Sequence, residues 1–130
     1  MAYNIIFSLE SLKQADGQPN AAVCTVYNLI NMQAKLVGHA IREGNLPDEV
    51  IYVDLISDQP ETEREKIMEW LAFCDIELPR ALRLGNDPIG NDTILAVFDD
   101  DAKRAELWRG VGATCFQLST PPLILLPQAR

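Results

Sequence analysis

The chain has 130 residues, a length suited to one domain, and 48% of them are hydrophobic, enough to build a core. Nineteen acidic residues against 11 basic ones leave a net charge of −8, a surface that repels phosphodiester backbones and excludes general nucleic-acid binding. Cys24, Cys74 and Cys115 are odd in number and lie apart in apolar stretches, which marks reduced core residues and excludes a disulfide or zinc framework. The opening residues lack a basic segment followed by a long apolar one, and no apolar run nears the ~20 residues of a membrane span. A cytoplasmic location without membrane contact is therefore expected.

The first element is an apolar run over residues 3–9 that suits a buried strand, followed by the polar loop KQADGQPN over residues 13–20. From Ala21 to Glu43 the apolar residues Val23, Val26, Ile30, Ala34, Val37 and Ile41 recur every three or four positions, which predicts a helix with one buried face. Asn20 is placed to cap it and Gly44 to stop it. Val50–Ile56 is a second strand. Pro60 opens a second helix, with Glu61 and Glu63 where the macrodipole favours negative charge and Ile67, Trp70, Leu71 and Cys74 as its buried stripe.

A short third strand is expected at Ala81–Leu84. After the loop GNDPIGND comes Thr93–Phe98, which has the continuous apolar character of a parallel strand. A helix around Ala102–Arg109 and a strand at Thr114–Leu118 follow. The tail PPLILLP, residues 121–127, reads as an edge strand packed on the core.

Strand–helix–strand alternation with connections of this length predicts an α/β fold: one domain over residues 1–130, a three-layer αβα sandwich around a mainly parallel, doubly wound sheet. Thr120-Pro121-Pro122 before an apolar run keeps a thioredoxin-like arrangement open as the competing fold, though no Cys-x-x-Cys pair accompanies it. In doubly wound sheets, ligands sit beyond the carboxyl ends of the strands where strand order reverses. The polar residues that end the strands are therefore the candidates: Ser8 and Glu10, Ser57 and Asp58, and Asp99 with Asp100 and Asp101.

Three stretches carry a resemblance. Residues 96–118, AVFDDDAKRAELWRGVGATCFQL, run from an apolar strand ending in paired acids, through a helix bearing a tryptophan, to a glycine turn and a strand. Residues 56–71, ISDQPETEREKIMEWL, place a serine at a strand end before a helix. Residues 5–12, IIFSLESL, form an apolar strand ending in short polar residues. In these the chain resembles the haloacid dehalogenase (HAD) superfamily of phosphohydrolases, and within it phosphatase domains like those of polynucleotide kinase-phosphatases. The resemblance implies a HAD-like Rossmannoid fold without a large cap.

It also implies site roles. In active members the first motif supplies a nucleophilic aspartate and an acid–base aspartate, and these positions fall on Ser8 and Glu10. Ser57 would be the hydroxyl that holds the phosphate. Arg83 would be the cation of the third motif, with Arg80 the other basic residue nearby. Asp99 and Asp100 would hold magnesium. An aspartyl phosphate hydrolyses readily, whereas serine without a partner base is a weak nucleophile whose phosphate ester would cleave slowly. Ser8 also removes a negative charge from the magnesium site, so weak Mg2+ binding is expected at most. Glu10 keeps a carboxylate but displaces it by a methylene, and misplacement of about 1 Å costs on the order of a hundredfold in rate.

The expected function is a catalytically degenerate phosphatase fold that binds a phosphorylated small molecule, a nucleotide or a protein partner. The alternatives are a phosphohydrolase with an unorthodox nucleophile and a non-enzymatic acidic interaction or inhibitor protein. Plainer roles stand beside these. The three consecutive aspartates would also cap the following helix, Ser57 would cap a turn, Asp54 would be paired within its strand or lie on an exposed edge, and His39 has no metal partner at useful spacing.

Overall fold

The computed structural model describes residues 2–42, 50–85 and 93–118. In chain order the elements are β1 (Ala2–Ser8), α1 (Ala21–Arg42), β2 (Val50–Ser57), α2 (Arg64–Phe73), β3 (Ala81–Leu84), β4 (Thr93–Asp99), α3 (Ala102–Gly110) and β5 (Cys115–Gln117). Short 3-10 turns at Leu9–Leu12 and Glu61–Glu63 connect β1 to the loop before α1 and lead into α2. The strands form a single five-stranded sheet in the order β3-β2-β1-β4-β5. Every pairing is parallel.

This is the α/β architecture expected from the alternation of elements, with strand order reversing at β1. It sets aside the thioredoxin-like alternative. β1 lies at the centre, in register with β2 from Ala2↔Val50 to Ser8↔Ile56 and with β4 from Tyr3↔Thr93 to Phe7↔Phe98. The pleat then assigns each side chain to one of two layers. Phe7, Val53, Leu55, Leu82 and Leu84 meet Cys24 and Tyr27 of α1 and Ile67 and Leu71 of α2. Ile6, Val97 and Cys115 meet Ala105 of α3 on the other side.

The buried stripe of α1 keeps Val23, Ile30 and Ala34 of the expected one and departs from it at Val26. Cys24, Tyr27, Asn31 and Ala34 are buried, whereas Val26 is 47% exposed and Leu29, Met32 and Leu36 are exposed too. Two polar side chains enter the core because the loop after α2 satisfies them. Tyr27 Oη donates to the Glu77 carbonyl at 2.7 Å, and Asn31 Nδ2 donates to the Leu78 carbonyl at 2.8 Å. Burial pushes the Tyr27 hydroxyl well above its ordinary pKa, so it stays a donor. Asn20 caps α1 as expected, its Oδ1 accepting from the Val23 amide at 3.3 Å.

The three cysteines are free, with Cys24 and Cys115 buried. Trp70 and Trp108 are partly buried against the two cores. No described helix is long and apolar enough to cross a membrane. The helix stop at Gly44, the loop 86–92, the tail 121–127 and the His39 side chain lie outside the described residues.

Leu71 is fully buried and Leu107 is 71% exposed, so their truncations should differ sharply. Urea denaturation should show Leu71→Ala losing about 3 kcal/mol. Leu107→Ala should stay within about 0.5 kcal/mol of wild type.

Candidate functional site

The reversal of strand order at β1 brings the carboxyl ends of β1 and β4 together. Ser8 ends β1 and Asp99 ends β4. Ser8 is 1% exposed, and its Oγ donates to Asp100 Oδ1 at 3.2 Å. The 3-10 turn that follows β1 is held by Ser11, whose Oγ donates to the Ser8 carbonyl at 2.7 Å. That turn aims Glu10 at the tip of β2. Ser57 Oγ donates to Glu10 Oε2 at 2.7 Å, and Gln59 Nε2 reaches the same oxygen at 3.4 Å. Ser57 Oγ in turn accepts from the Gln59 amide at 3.1 Å. Glu10 Oε1 is buried without a hydrogen-bond partner.

The three aspartates after β4 divide their work. Asp101 caps α3, its Oδ1 accepting from the amides of Lys103 at 2.8 Å and Arg104 at 3.2 Å. Asp100 receives Ser8. Asp99 is fully buried and faces Arg104: Nε lies 2.9 Å from Oδ2, and Nη2 lies 3.0 Å from Oδ1. The same guanidinium reaches Asp58 at 3.2 Å, Asp100 at 3.4 Å and Asp101 at 3.8 Å. One cation thus serves four carboxylates drawn from the tip of β4 and the loop after β2.

Hydrogen bonding and burial shift the protonation equilibria in different directions. Hydrogen bonds to Asp99 hold the Arg104 guanidinium further above its already high value. Partial burial raises the Asp100 carboxyl above the ordinary aspartate value. The amides of Arg104 and Lys103 lower that of Asp101.

Magnesium, expected at Asp99 and Asp100, takes near-octahedral oxygen ligands and few protein carboxylates. Both Asp99 oxygens are already committed to Arg104, and Oδ1 also accepts from the Asp101 amide. Ser8 offers a neutral hydroxyl whose proton points at Asp100. Among the described residues, no group of three or more His, Cys, Asp or Glu side chains is arranged to hold a metal ion. The arrangement does not fit a magnesium ion.

Of the expected site residues, the structure brings Ser8 to Asp100 and Glu10 to Ser57, and places Asp99 beside Asp100. Arg83 belongs to a separate cluster. Its Nη2 lies 3.3 Å from Asp54 Oδ2, and Arg80 Nη2 lies 2.7 Å from the same oxygen. Asn4 Nδ2 also donates to Asp54 at 2.9 Å. Asp54 is thus a fully buried, paired strand residue.

Sequence reasoning missed Arg104, although a signal was present. Lys103 and Arg104 stand in the first turn of α3, where the macrodipole disfavours cations. A basic residue there asks for a strong partner, and the acids one turn earlier supply it.

Two solved structures share the fold. A chain of the Pnkp1/Rnl/Hen1 complex is 19% identical with a TM-score of 0.63, covering 89% of this chain and 45% of its own length. A chain of the Pnkp1/Rnl/Hen1 RNA repair complex is 17% identical with a TM-score of 0.59, covering 89% of this chain and 42% of its own. This chain therefore spans less than half of either neighbour. No family model matches the chain, and no curated protein does.

The opposite shifts of Asp100 and Asp101 predict opposite pH responses. The contribution of Asp101 is present above the unfolded pKa and is lost as pH falls through its lowered folded value. For Asp100 the sign reverses: stability is present at acid pH and falls as pH rises through the raised folded value. Relative to wild type, Asp100→Asn should gain stability between about pH 3 and pH 6 while Asp101→Asn loses it, read by chemical denaturation at each pH.

Proposed function

We propose that this chain is a HAD-like, catalytically degenerate phosphatase-fold domain that acts as a binding or regulatory module and not as a phosphatase. The observation that carries the reading is Ser8. It stands at the tip of the central strand, where the resembling enzymes present an aspartate, and it is 1% exposed with its hydroxyl bonded to Asp100. Dephosphorylation by covalent catalysis needs a nucleophile that reaches phosphorus and then leaves it. A buried serine meets neither need.

The surroundings support the same conclusion. Ser57, the hydroxyl expected to hold a phosphate, is committed to Glu10, and Arg83 is committed to Asp54. A carboxylate therefore already takes the hydrogen bond that a phosphate would receive. The unpaired group at the site, Glu10 Oε1, is an acceptor, and a phosphate brings further acceptors. Asp58, Asp99, Asp100 and Asp101 crowd the strand tips with negative charge, and such a field opposes an incoming anion.

A protein is the class of partner these features favour. The fold neighbours are chains of a multi-protein complex, each more than twice the length matched here. The outer face of α1 leaves Val26, Leu29, Met32 and Leu36 open to solvent, an apolar stripe of the kind that partners cover.

One contact favours a second reading. With Asp100 as base, Ser8 would be an activated nucleophile in a phosphotransfer.

Hydrolysis of p-nitrophenyl phosphate and of a phosphorylated nucleotide with magnesium should run at the background rate, unchanged in Ser8→Ala. Inorganic phosphate should give no saturable shift in melting temperature. Turnover abolished by Ser8→Ala, or a phosphate ester found on Ser8 by mass spectrometry after incubation with substrate, would establish the second reading instead.

A further inference from the structure

We infer that Arg104 is a tethered counter-ion: its guanidinium pairs the buried Asp99 and contacts the neighbouring acids in the place a divalent cation would take, so the protein neither needs nor binds such a cation there. The inference concerns charge balance alone and stands whether or not the domain turns over phosphate.

Asp99 sets the requirement. It has no exposure to water, and an ionised carboxylate in that position must be paired or lose its charge. Arg104 meets it in the strongest geometry available to two side chains. Nε and Nη2 engage the two oxygens of Asp99 as a fork, at 2.9 and 3.0 Å. The remaining donors are spread over the neighbouring acids, with Nη1 on Asp58 at 3.2 Å and Nη2 on Asp100 at 3.4 Å. A metal ion would draw these oxygens to a point with short, directed bonds. A planar guanidinium gathers them around a rim through separate N–H donors.

Placement argues the same way. Arg104 lies in the first turn of α3, a position where a cation works against the helix dipole. The contact with four carboxylates outweighs that penalty. It also explains how Asp58 belongs to the site, since this residue of the loop after β2 is 82% exposed at its side chain and is held by the Arg104 contact. Ser8 completes the picture. A hydroxyl at the tip of β1 adds no charge to the site, so Asp99 is the fully buried carboxylate there that has to be paired, and one guanidinium pairs it.

The two cations differ in a measurable way, because one is dissociable and the other is part of the chain. Manganese titrations followed by electron paramagnetic resonance should find no saturable site on the wild-type protein at millimolar metal. Its melting temperature should be the same in MgCl2, in EDTA and in NaCl of matched ionic strength. Arg104→Gln removes the charge and keeps a polar side chain. It should melt lower, recover part of the loss in MgCl2, and bind manganese at least about tenfold more tightly than wild type. Adding Asp99→Asn to that variant should abolish the gained binding.

Saturable manganese binding by wild type that Asp99→Asn removes would overturn the inference. So would a folded Arg104→Gln protein that gains no binding. If Arg104→Gln does not fold, the wild-type titration decides alone: an empty titration upholds the tethered charge, and a saturable site sensitive to Asp99→Asn refutes it.

Discussion

A carboxylate sealed from water must carry its counter-charge with it, and this fold meets that demand twice on the same side of its sheet. Asp54 on β2 and Asp99 on β4 are both fully buried, and pleat alternation directs both toward the layer that contains α3. Asp54 is held by Arg80 and Arg83, and Asp99 by Arg104. In each case the arginine is partly buried and reaches in from the border of the sheet. Removing one member of such a pair strands the other, so these contacts constrain the fold more than their net contribution to stability suggests.

The strand-tip site follows from that demand. A phosphate-handling pocket has to keep cationic and donor groups open for a ligand. Here the donors are already occupied by the protein's own acids: Ser57 by Glu10, Ser8 by Asp100, and Arg104 by Asp99 and its neighbours. The hydrogen-bonding valences at the strand tips are thus closed internally.

Much of this was legible in the sequence. Apolar runs bounded by polar strand ends identified the five strands and their layers, and the rule about reversing strand order pointed to Ser8, Ser57 and Asp99. The α1 stripe was legible at Val23, Ile30 and Ala34 but misread at Val26, which fits the helical period, while Tyr27 and Asn31 look too polar for a core. Only the carbonyls of Glu77 and Leu78, remote in sequence, make them buriable. Arg83 was assigned from the resemblance as the third-motif cation, and no pattern in the chain revealed that Asp54 would claim it. Arg104 was hidden for another reason. A cation early in a helix signals an acidic partner, but which acid it serves is known only once Asp99 is seen to be buried.

The central place of β1 also bears on how the molecule is made. Its partner β2 follows within about fifty residues, but its other partner β4 comes some forty residues later still. A chain emerging from the ribosome can therefore assemble β1, β2 and β3 under α1 and α2 while the opposite edge of β1 stays bare. For that interval Ile6 and Ser8 wait for neighbours not yet synthesised. Closure comes with β4 and α3, which deliver Asp99 and its neutralising arginine in one short segment, so the charge is balanced as the last half of the sheet docks.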